Sequence, residues 1–274
     1  MKHLLRAIVV SFSLATVAAG ATSAAVATLD PALVRAAADA ARTPKFVARD
    51  RYRHPVEELT FFGLKPTMSV VEVWPAAGYW TEILAPYLRK SGHYVAAVTV
   101  VGESKEEDAM TAAWKARVQA DKARFGNVAI TQLGRGHYAV APAGSADLIV
   151  TFRNLHNWIN GGYVEQALHG MFVALKPGGI LGIEDHRGRD DQPQDPKAKS
   201  GYVRQDYAIE LARKAGFELV GTSEIDANPK DTKSWPEGVW TLPPTLALGD
   251  KDREKYLAIG EADNFVLKFR KPTH

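Results

Sequence analysis

Residues Val70–Glu82 read VVEVWPAAGYWTE. An apolar, β-favouring run that includes one acid, Glu72, is followed by a tight turn and then by a helix-forming run. This is the opening of a βα unit. A turn of this kind that cradles a ligand uses glycine, because the backbone must reach φ > 0 and approach the ligand without a Cβ. Trp74 and Ala76 stand at the first two of three alternating turn positions, and only Gly78 is left at the third. A Cβ at positive φ costs about 1 kcal/mol or more, so the turn either changes shape or carries strain.

The same alternation runs outward from this stretch. Strands are expected at Ser69–Trp74, His93–Val101, Asn127–Leu133, Ala146–Phe152, Ile180–Asp185, Phe217–Ile225 and Asn264–Arg270. Helices are expected at Tyr79–Lys90, Glu106–Phe125, Tyr163–Leu175 and Tyr202–Ala215 between them, and at Leu29–Arg42 and Arg49–Phe62 before the first strand. Strands separated by helices imply right-handed crossovers and a parallel sheet covered on both faces. The last two strands lack a helical pattern between them and are expected to form an antiparallel pair at the sheet edge. The segment joining them, 226–263, is rich in Pro, Gly and Trp and reads as a long loop.

The chain has 274 residues, 46% hydrophobic content and no cysteine, enough for one large domain without disulfides, a thiolate metal site or a cysteine nucleophile. Lys2 and Arg6 precede an apolar run, Ala7–Ala19, and Ala25-Val26-Ala27 is an A-x-A cleavage signal. Residues 1–27 therefore read as a signal peptide, with an uncleaved anchor as the alternative. Residues 28–274 form a single domain, with N-terminal helices over 28–66, and the mature chain is placed in the periplasm or outside the cell. Loss of Lys2 and Arg6 takes the net charge from +3 to near +1. That is too little to argue for nucleic acid or for lasting attachment to an anionic membrane.

Five longer stretches carry a resemblance: VEVWPAAGYWTEILAPYL (Val71–Leu88), ADLIVTFRNLHNWINGGY (Ala146–Tyr163), ALKPGGILGIEDHR (Ala174–Arg187), PKAKSGYVRQDY (Pro196–Tyr207) and NPKDTKSWPEGVWTLPPTL (Asn228–Leu246). The chain resembles the secreted predicted methyltransferases of bacteria, over nearly all of its mature length. The resemblance implies an α/β class I methyltransferase (Rossmann-like) fold: a seven-stranded, mostly parallel sheet with a C-terminal antiparallel strand pair and helices on both faces. An ordinary dinucleotide-binding fold is the alternative.

The resemblance also implies S-adenosyl-L-methionine (SAM) as cofactor. It places Glu72, Pro75, Gly78 and Tyr79 at the cofactor turn, Thr99 at the end of the second strand where an acid ordinarily grips the ribose, and Asn154 at the cofactor's amino-acid end. Glu103 is a candidate replacement for the ribose acid. Where the family has an Asp near adenine, this chain has Arg135 or Gly136.

Ligands in open α/β sheets bind outside the C-terminal strand ends. Two such ends are rich in reactive groups: Arg153-Asn154-Leu155-His156-Asn157-Trp158 and Glu184-Asp185-His186-Arg187. In the implied topology both face one cleft. His156 and His186 are candidate bases, with Asp185 or Glu184 orienting one of them. Arg153 is a candidate anion binder, Trp158 a cleft wall, and Tyr202 and Arg204 candidate substrate contacts. The segment 188–201 reads as a lid and 226–263 as a roof or a partner surface. No short His-x-x-His or HExxH pattern is present, so no metal site is expected. Two functions remain: a SAM-dependent methyltransferase of a small molecule, or a non-catalytic secreted small-molecule-binding protein on the same scaffold. A metal-assisted hydrolase is a third.

Overall fold

The computed structural model describes residues 29–102 and 104–273; the expected signal peptide and Glu103 lie outside them. Seven strands, β1 (Ser69–Val73), β2 (His93–Thr99), β3 (Ala129–Leu133), β4 (Ala146–Phe152), β5 (Leu175–His186), β6 (Glu218–Ser223) and β7 (Asn264–Arg270), form one sheet in the order β3-β2-β1-β4-β5-β7-β6. Neighbours from β3 to β5 pair in parallel, and β7 runs antiparallel between β5 and β6. The expected C-terminal antiparallel pair is present.

Eleven helices are described: α1 (Pro31–Ala37), α2 (Pro44–Val47), α3 (Asp50–Arg53), α4 (Pro55–Phe62), α5 (Thr81–Leu88), α6 (Lys105–Ala120), α7 (Lys122–Phe125), α8 (Leu155–Gly161), α9 (Val164–Ala174), α10 (Gln205–Lys214) and α11 (Arg253–Ile259). None among the described residues is long and apolar enough to cross a membrane.

The strands' period of two sorts the core into two layers. Val70, Ala96, Leu148, Val150 and Val266 face Leu33, Leu59, Phe62, Ile83, Leu84 and Trp114 of α1, α4, α5 and α6. Their chain neighbours Val71, Ala97, Ile149 and Leu267 face Trp158, Leu168, Met171 and Leu211 of α8, α9 and α10. A satellite cluster of Tyr202, Val239, Leu242, Tyr256 and Ala262 holds the segment 226–263 against the sheet's end.

Several boundaries differ from the sequence reading, each for a local reason. The helix expected over Arg49–Phe62 is two helices broken at His54, which sits at φ 33. His54 precedes Pro55, and the proline ring disfavours the right-handed helical region for the residue before it. The helix over Glu106–Phe125 breaks at Asp121, whose carboxylate accepts the Arg124 N–H at 3.0 Å and caps α7. The segment 226–263 is not a plain loop: it holds a 3-10 turn, Gly238–Thr241, and α11. The cluster after β4 is itself helical, as α8.

α4 packs on β5 and β7 and carries Glu58, which has no solvent exposure. Its carboxyl oxygens have no ordinary hydrogen-bond partner and lie with Asp226 and Glu184 in one buried group. Burial, with the negative charges of Asp226 and Glu184, pushes the Glu58 ionisation well above the ordinary carboxylate range. The fold therefore holds Glu58 neutral. A group whose folded pKa is raised contributes its full stability below its unfolded pKa and loses it as pH rises through the folded value. Glu58→Gln keeps the neutral form at every pH. The melting temperature of the wild type is expected to fall more steeply than that of Glu58→Gln between pH 5 and pH 9, the variant being higher by about 3 °C or more at the alkaline end. Parallel melting curves would refute a neutral Glu58.

Candidate active site

The ends of β1, β2, β4 and β5 open onto a cavity of about 450 Å³. Its floor at β1 is the turn Trp74–Gly78. Trp74 stands at φ 55, Ala76 at φ 50 and Gly78 at φ 88. The alternating left-handed geometry of a glycine turn is thus kept with two non-glycine residues, at a cost of about 1 kcal/mol each. Four contacts hold it. The Trp74 N–H donates to the Ala97 carbonyl at 2.8 Å. The Trp74 indole Nε1 donates to the Leu133 carbonyl at 2.8 Å, and the ring meets Trp158 edge-on at 5.9 Å. Asn154 Nδ2 donates to the Val73 carbonyl at 3.1 Å. Gly78 cannot be replaced without movement: an added Cβ would lie 2.2 Å from Arg117 Nη2 and 2.8 Å from Trp114 Cδ1.

The acid–base groups meet on the other side of the cavity. His156 begins the second turn position of α8, and Asp185 lies at the end of β5. His156 Nδ1 is 2.8 Å from Asp185 Oδ1, and the His156 backbone N–H donates to Oδ2 at 2.9 Å. One carboxylate thereby caps the helix and orients the ring. Burial would raise Asp185, but His156 and the neighbouring backbone and His186 outweigh it and hold Asp185 below its ordinary value. His186 Nδ1 is 2.8 Å from Asn264 Oδ1. Burial, with Arg153 and His156 nearby, drives His186 down to about 3 against the pull of Asp185, so it is neutral at physiological pH. The two rings lie 5.3 Å apart, and both line the cavity.

Glu184 does not orient a histidine. It receives Arg153 Nε at 2.9 Å and Arg53 Nη2 at 3.1 Å. Glu261 receives Arg153 Nη1 and both Arg49 Nε and Nη2. Arg49, Arg53 and Arg153 line the cavity, whereas the two glutamates lie behind them.

Of the sequence-derived residues, the structure brings Pro75, Thr99, Arg153, Asn154, His156 and His186 to the cavity wall. Asp185 stands one contact behind, through His156. Glu72 does not reach the cavity: it lies under α5, accepting from Thr81 Oγ1 at 3.0 Å and from the Tyr94 hydroxyl, with burial raising it to about 7 against those two bonds. Tyr79 donates to Asp50 Oδ1 at 2.6 Å and lies beneath the Arg53 guanidinium, 4.5 Å from its ring centroid, and so ties α3 to the turn. Trp158 is a layer behind the wall, against Trp74. Tyr202 binds Asp231 through its hydroxyl, and Arg204 pairs with Asp206 beside a separate surface groove. Gly78 shapes the turn from beneath.

The segment 188–201 contributes no lining residue and lies beside that same groove, so it is not a lid over this cavity. The roof is Val239, Trp240 and Pro243–Thr245. Sequence reasoning missed Arg49, Glu107, Met110 and Thr111 in the wall. The last three sit on α6 at helical spacing facing Thr99, whose hydroxyl is 2.9 Å from that of Thr111.

Two groups have the donor content for a metal, His156–Asp185–His186 and Glu58–Glu184–Asp226. In the first, the Asp185 oxygens already accept three N–H groups. In the second, Glu184 is bound by two arginines. The first set is engaged by protein donors as a hydrogen-bonded dyad; in the second, Glu184 belongs to an ion network and Asp226 is paired with His54, while the Glu58 oxygens have no such donor.

No protein-family model matches the chain, and no curated protein sequence does. Solved structures do. A SAM-dependent methyltransferase from Aquifex aeolicus superposes with a TM-score of 0.54 at 18% identity, over 81% of this chain and 92% of the other. A sarcosine dimethylglycine methyltransferase assignment from Galdieria sulphuraria gives 0.52 at 14%, over 83% and 86%. The cyclase SpnF gives 0.54 at 17%, over 81% and 82%. The fold is that of the class I methyltransferases, and one of its similar structures is a cyclase, so the fold alone does not fix the reaction.

The strain at Ala76 has a measurable consequence. In an unstrained exposed helix, Ala→Gly costs about 1 kcal/mol. At Ala76 relief of the left-handed strain offsets that loss. Ala76→Gly is expected to leave the melting temperature within about 1–2 °C of wild type, while Ala113→Gly on the exposed face of α6 lowers it by about 2–4 °C. Equal losses at both positions would mean that the turn is not strained.

Proposed function

We propose that the chain is a SAM-dependent methyltransferase acting on a small molecule, exported to the periplasm or beyond. The observation that carries this reading is the turn at the end of β1, which keeps three alternating positive φ values beside a cavity that also holds an Asp185–His156 pair. A turn of non-glycine residues held in left-handed geometry by four separate contacts is over-determined, which is where functional strain is found.

The residues present fit the cofactor. The cavity volume is in the range that accepts ligands of this size. Pro75 and Ala76 offer backbone at close approach. Thr99 and Glu107 both line the cavity, Thr99 at the end of β2 where the ribose would be held and Glu107 on α6, standing in for the absent strand-end acid. When bound, SAM supplies an electrophilic methyl group on a sulfonium. The chain's own contribution is to place and deprotonate the acceptor. Asp185 fixes the His156 ring through Nδ1, so that Nε2 carries the lone pair that takes the acceptor's proton. Neutral His186 beside it adds a hydrogen-bonding group without a charge. Trp240, Pro243 and Pro244 cover the cavity and limit water.

A second reading is favoured by one observation. The Trp74 indole bonds the Leu133 carbonyl at the end of β3, beside the place where the resemblance puts the adenine contact. A side chain filling that place supports binding of a smaller, non-nucleoside molecule without turnover.

Calorimetric titration of SAM and S-adenosylhomocysteine into the purified chain separates the two. Micromolar affinity that Gly78→Val weakens at least about tenfold is the expected result. A folded sample that binds neither leaves the second reading. Asp185→Asn is expected to keep S-adenosylhomocysteine affinity within about threefold while lowering turnover by about a hundredfold or more. Loss of affinity and turnover together would make Asp185 a folding residue instead.

A further inference from the structure

We propose that Arg153, flanked by Arg49 and Arg53, is an anion-docking site that takes a carboxylate or phosphate group of the ligand bound in this cavity. The proposal rests on the cavity being the ligand site, and does not need methyl transfer.

Arg153 is the first residue after β4 and sits at φ 62. A non-glycine residue in that region costs about 1 kcal/mol and persists where the surroundings hold it. The residue lines the cavity. Nε and Nη1 are taken by Glu184 and Glu261, while Nη2 is buried with no partner. Arg53 Nε is in the same state. A buried donor left unpaired costs about 1–3 kcal/mol, more when it is charged. Both residues line the cavity, so an acceptor oxygen of a ligand that settles against these guanidiniums would complete their hydrogen bonding.

Charge points the same way. Three guanidiniums face two carboxylates in this network. Burial would raise Glu261, but Arg153 and Arg49 hold it at about 2; Glu184 is likewise held low by Arg153 and Arg53 against its burial. Both acids therefore stay ionised and do not exceed the cations. Asp226 beyond them is paired with His54 at 2.9 Å. Within this network one positive charge is left over, and the three arginines line the wall whereas Glu184 and Glu261 do not; the one acid in the wall, Glu107, belongs to α6 and takes no part in the network's ion pairs. Guanidinium planes match carboxylate and phosphate oxygens in pairs. An anion on Arg153 would set the rest of the ligand beside His186 and His156, giving the ligand class: small acids or phosphate esters with a nucleophilic oxygen or nitrogen toward the Asp185–His156 pair.

The anion has two possible owners, the amino-acid end of SAM or the acceptor. Trp74 and Trp240 line the cavity, so intrinsic fluorescence reports its occupation. Benzoate and its neutral counterpart benzamide are titrated into wild type, Arg153→Met and Arg49→Met. In parallel, S-adenosylhomocysteine and 5′-methylthioadenosine, which lacks the carboxylate, are titrated by calorimetry.

Wild type is expected to favour benzoate over benzamide at least about tenfold, and the variants to lose that preference. Loss of S-adenosylhomocysteine affinity in the variants with 5′-methylthioadenosine unchanged assigns the site to the cofactor; S-adenosylhomocysteine unchanged assigns it to the acceptor. Should Arg153→Met not fold, Arg49→Met, whose side chain is 21% exposed, decides alone. Equal or absent binding of benzoate and benzamide, with both nucleosides indifferent to the variants, overturns the site. Benzoate preference without any nucleoside binding would keep the site and sink the methyltransferase reading.

Discussion

A carboxylate without solvent contact is the constraint around which the active end of this molecule is arranged. Glu184 lies inside the sheet on β5, and an unpaired charge there would cost several kcal/mol. Two guanidiniums reach it, and each reach fixes a segment. Arg153 gets there by leaving β4 through a left-handed residue. Arg53 gets there because α3 ends where it does, at the break His54 makes before Pro55. Through Arg153 and Arg49 the network extends to Glu261, which closes the segment 226–263 onto the same floor. Buried pairs of this kind contribute little net stability compared with apolar packing, but removing one partner costs about 3–5 kcal/mol. The network therefore specifies where four distant stretches meet more than it raises the stability of the whole.

The turn after β1 is held by a second set of constraints. Glycine would adopt its angles freely; Trp74 is held in them by its backbone and indole hydrogen bonds, and Ala76 follows at the exposed crest of the same turn. Asn154 ties the turn to the end of β4, and the indole of Trp74 spans to β3 and packs on Trp158. The large side chain that makes the backbone angle unfavourable is also the anchor that maintains it. That coupling explains how the motif can lose two glycines and keep its shape.

The strand and helix alternation was legible because periods of two and of about three and a half residues survive in local sequence; the connections implied a parallel sheet with an antiparallel end pair, and the neighbours within it came from the resemblance. That the clusters after β4 and β5 would share one cleft was legible from that topology; that His156 takes Asp185, and Glu184 takes arginines instead, was not, because it depends on side-chain direction. The break at His54 had a signal, the proline after it, that an apolar periodicity over Arg49–Phe62 concealed. The rest had none. Arg49 and Glu261 are 212 positions apart in the chain, and no local pattern records such a pairing. Glu72 matched the position of a cofactor acid, yet its neighbours Thr81 and Tyr94 draw it under α5, a contact set by packing. The segment 188–201 looked like a lid from its charge and proline content, but those properties mark exposure and do not say what is covered.

The walls that enclose this cavity come from outside the sheet. The sheet supplies strand ends, and a methyltransferase and a cyclase are both compatible with it. The cationic floor comes from α3 and its flanks and from the residue after β4, and the roof comes from the 3-10 turn and prolines of the segment 226–263. Within that enclosure the two imidazoles are not equivalent. Arg153 and burial keep His186 uncharged, so it can exchange hydrogen bonds but is poorly suited to hold a proton taken from a ligand. His156 has the ionised Asp185 behind it, which stabilises the ring when it gains that proton. The division of labour follows from which histidine has the carboxylate on its ring and which has the guanidinium nearby: Arg153 is placed by the buried ion network, and Asp185 by the backbone N–H groups of His156 and His186.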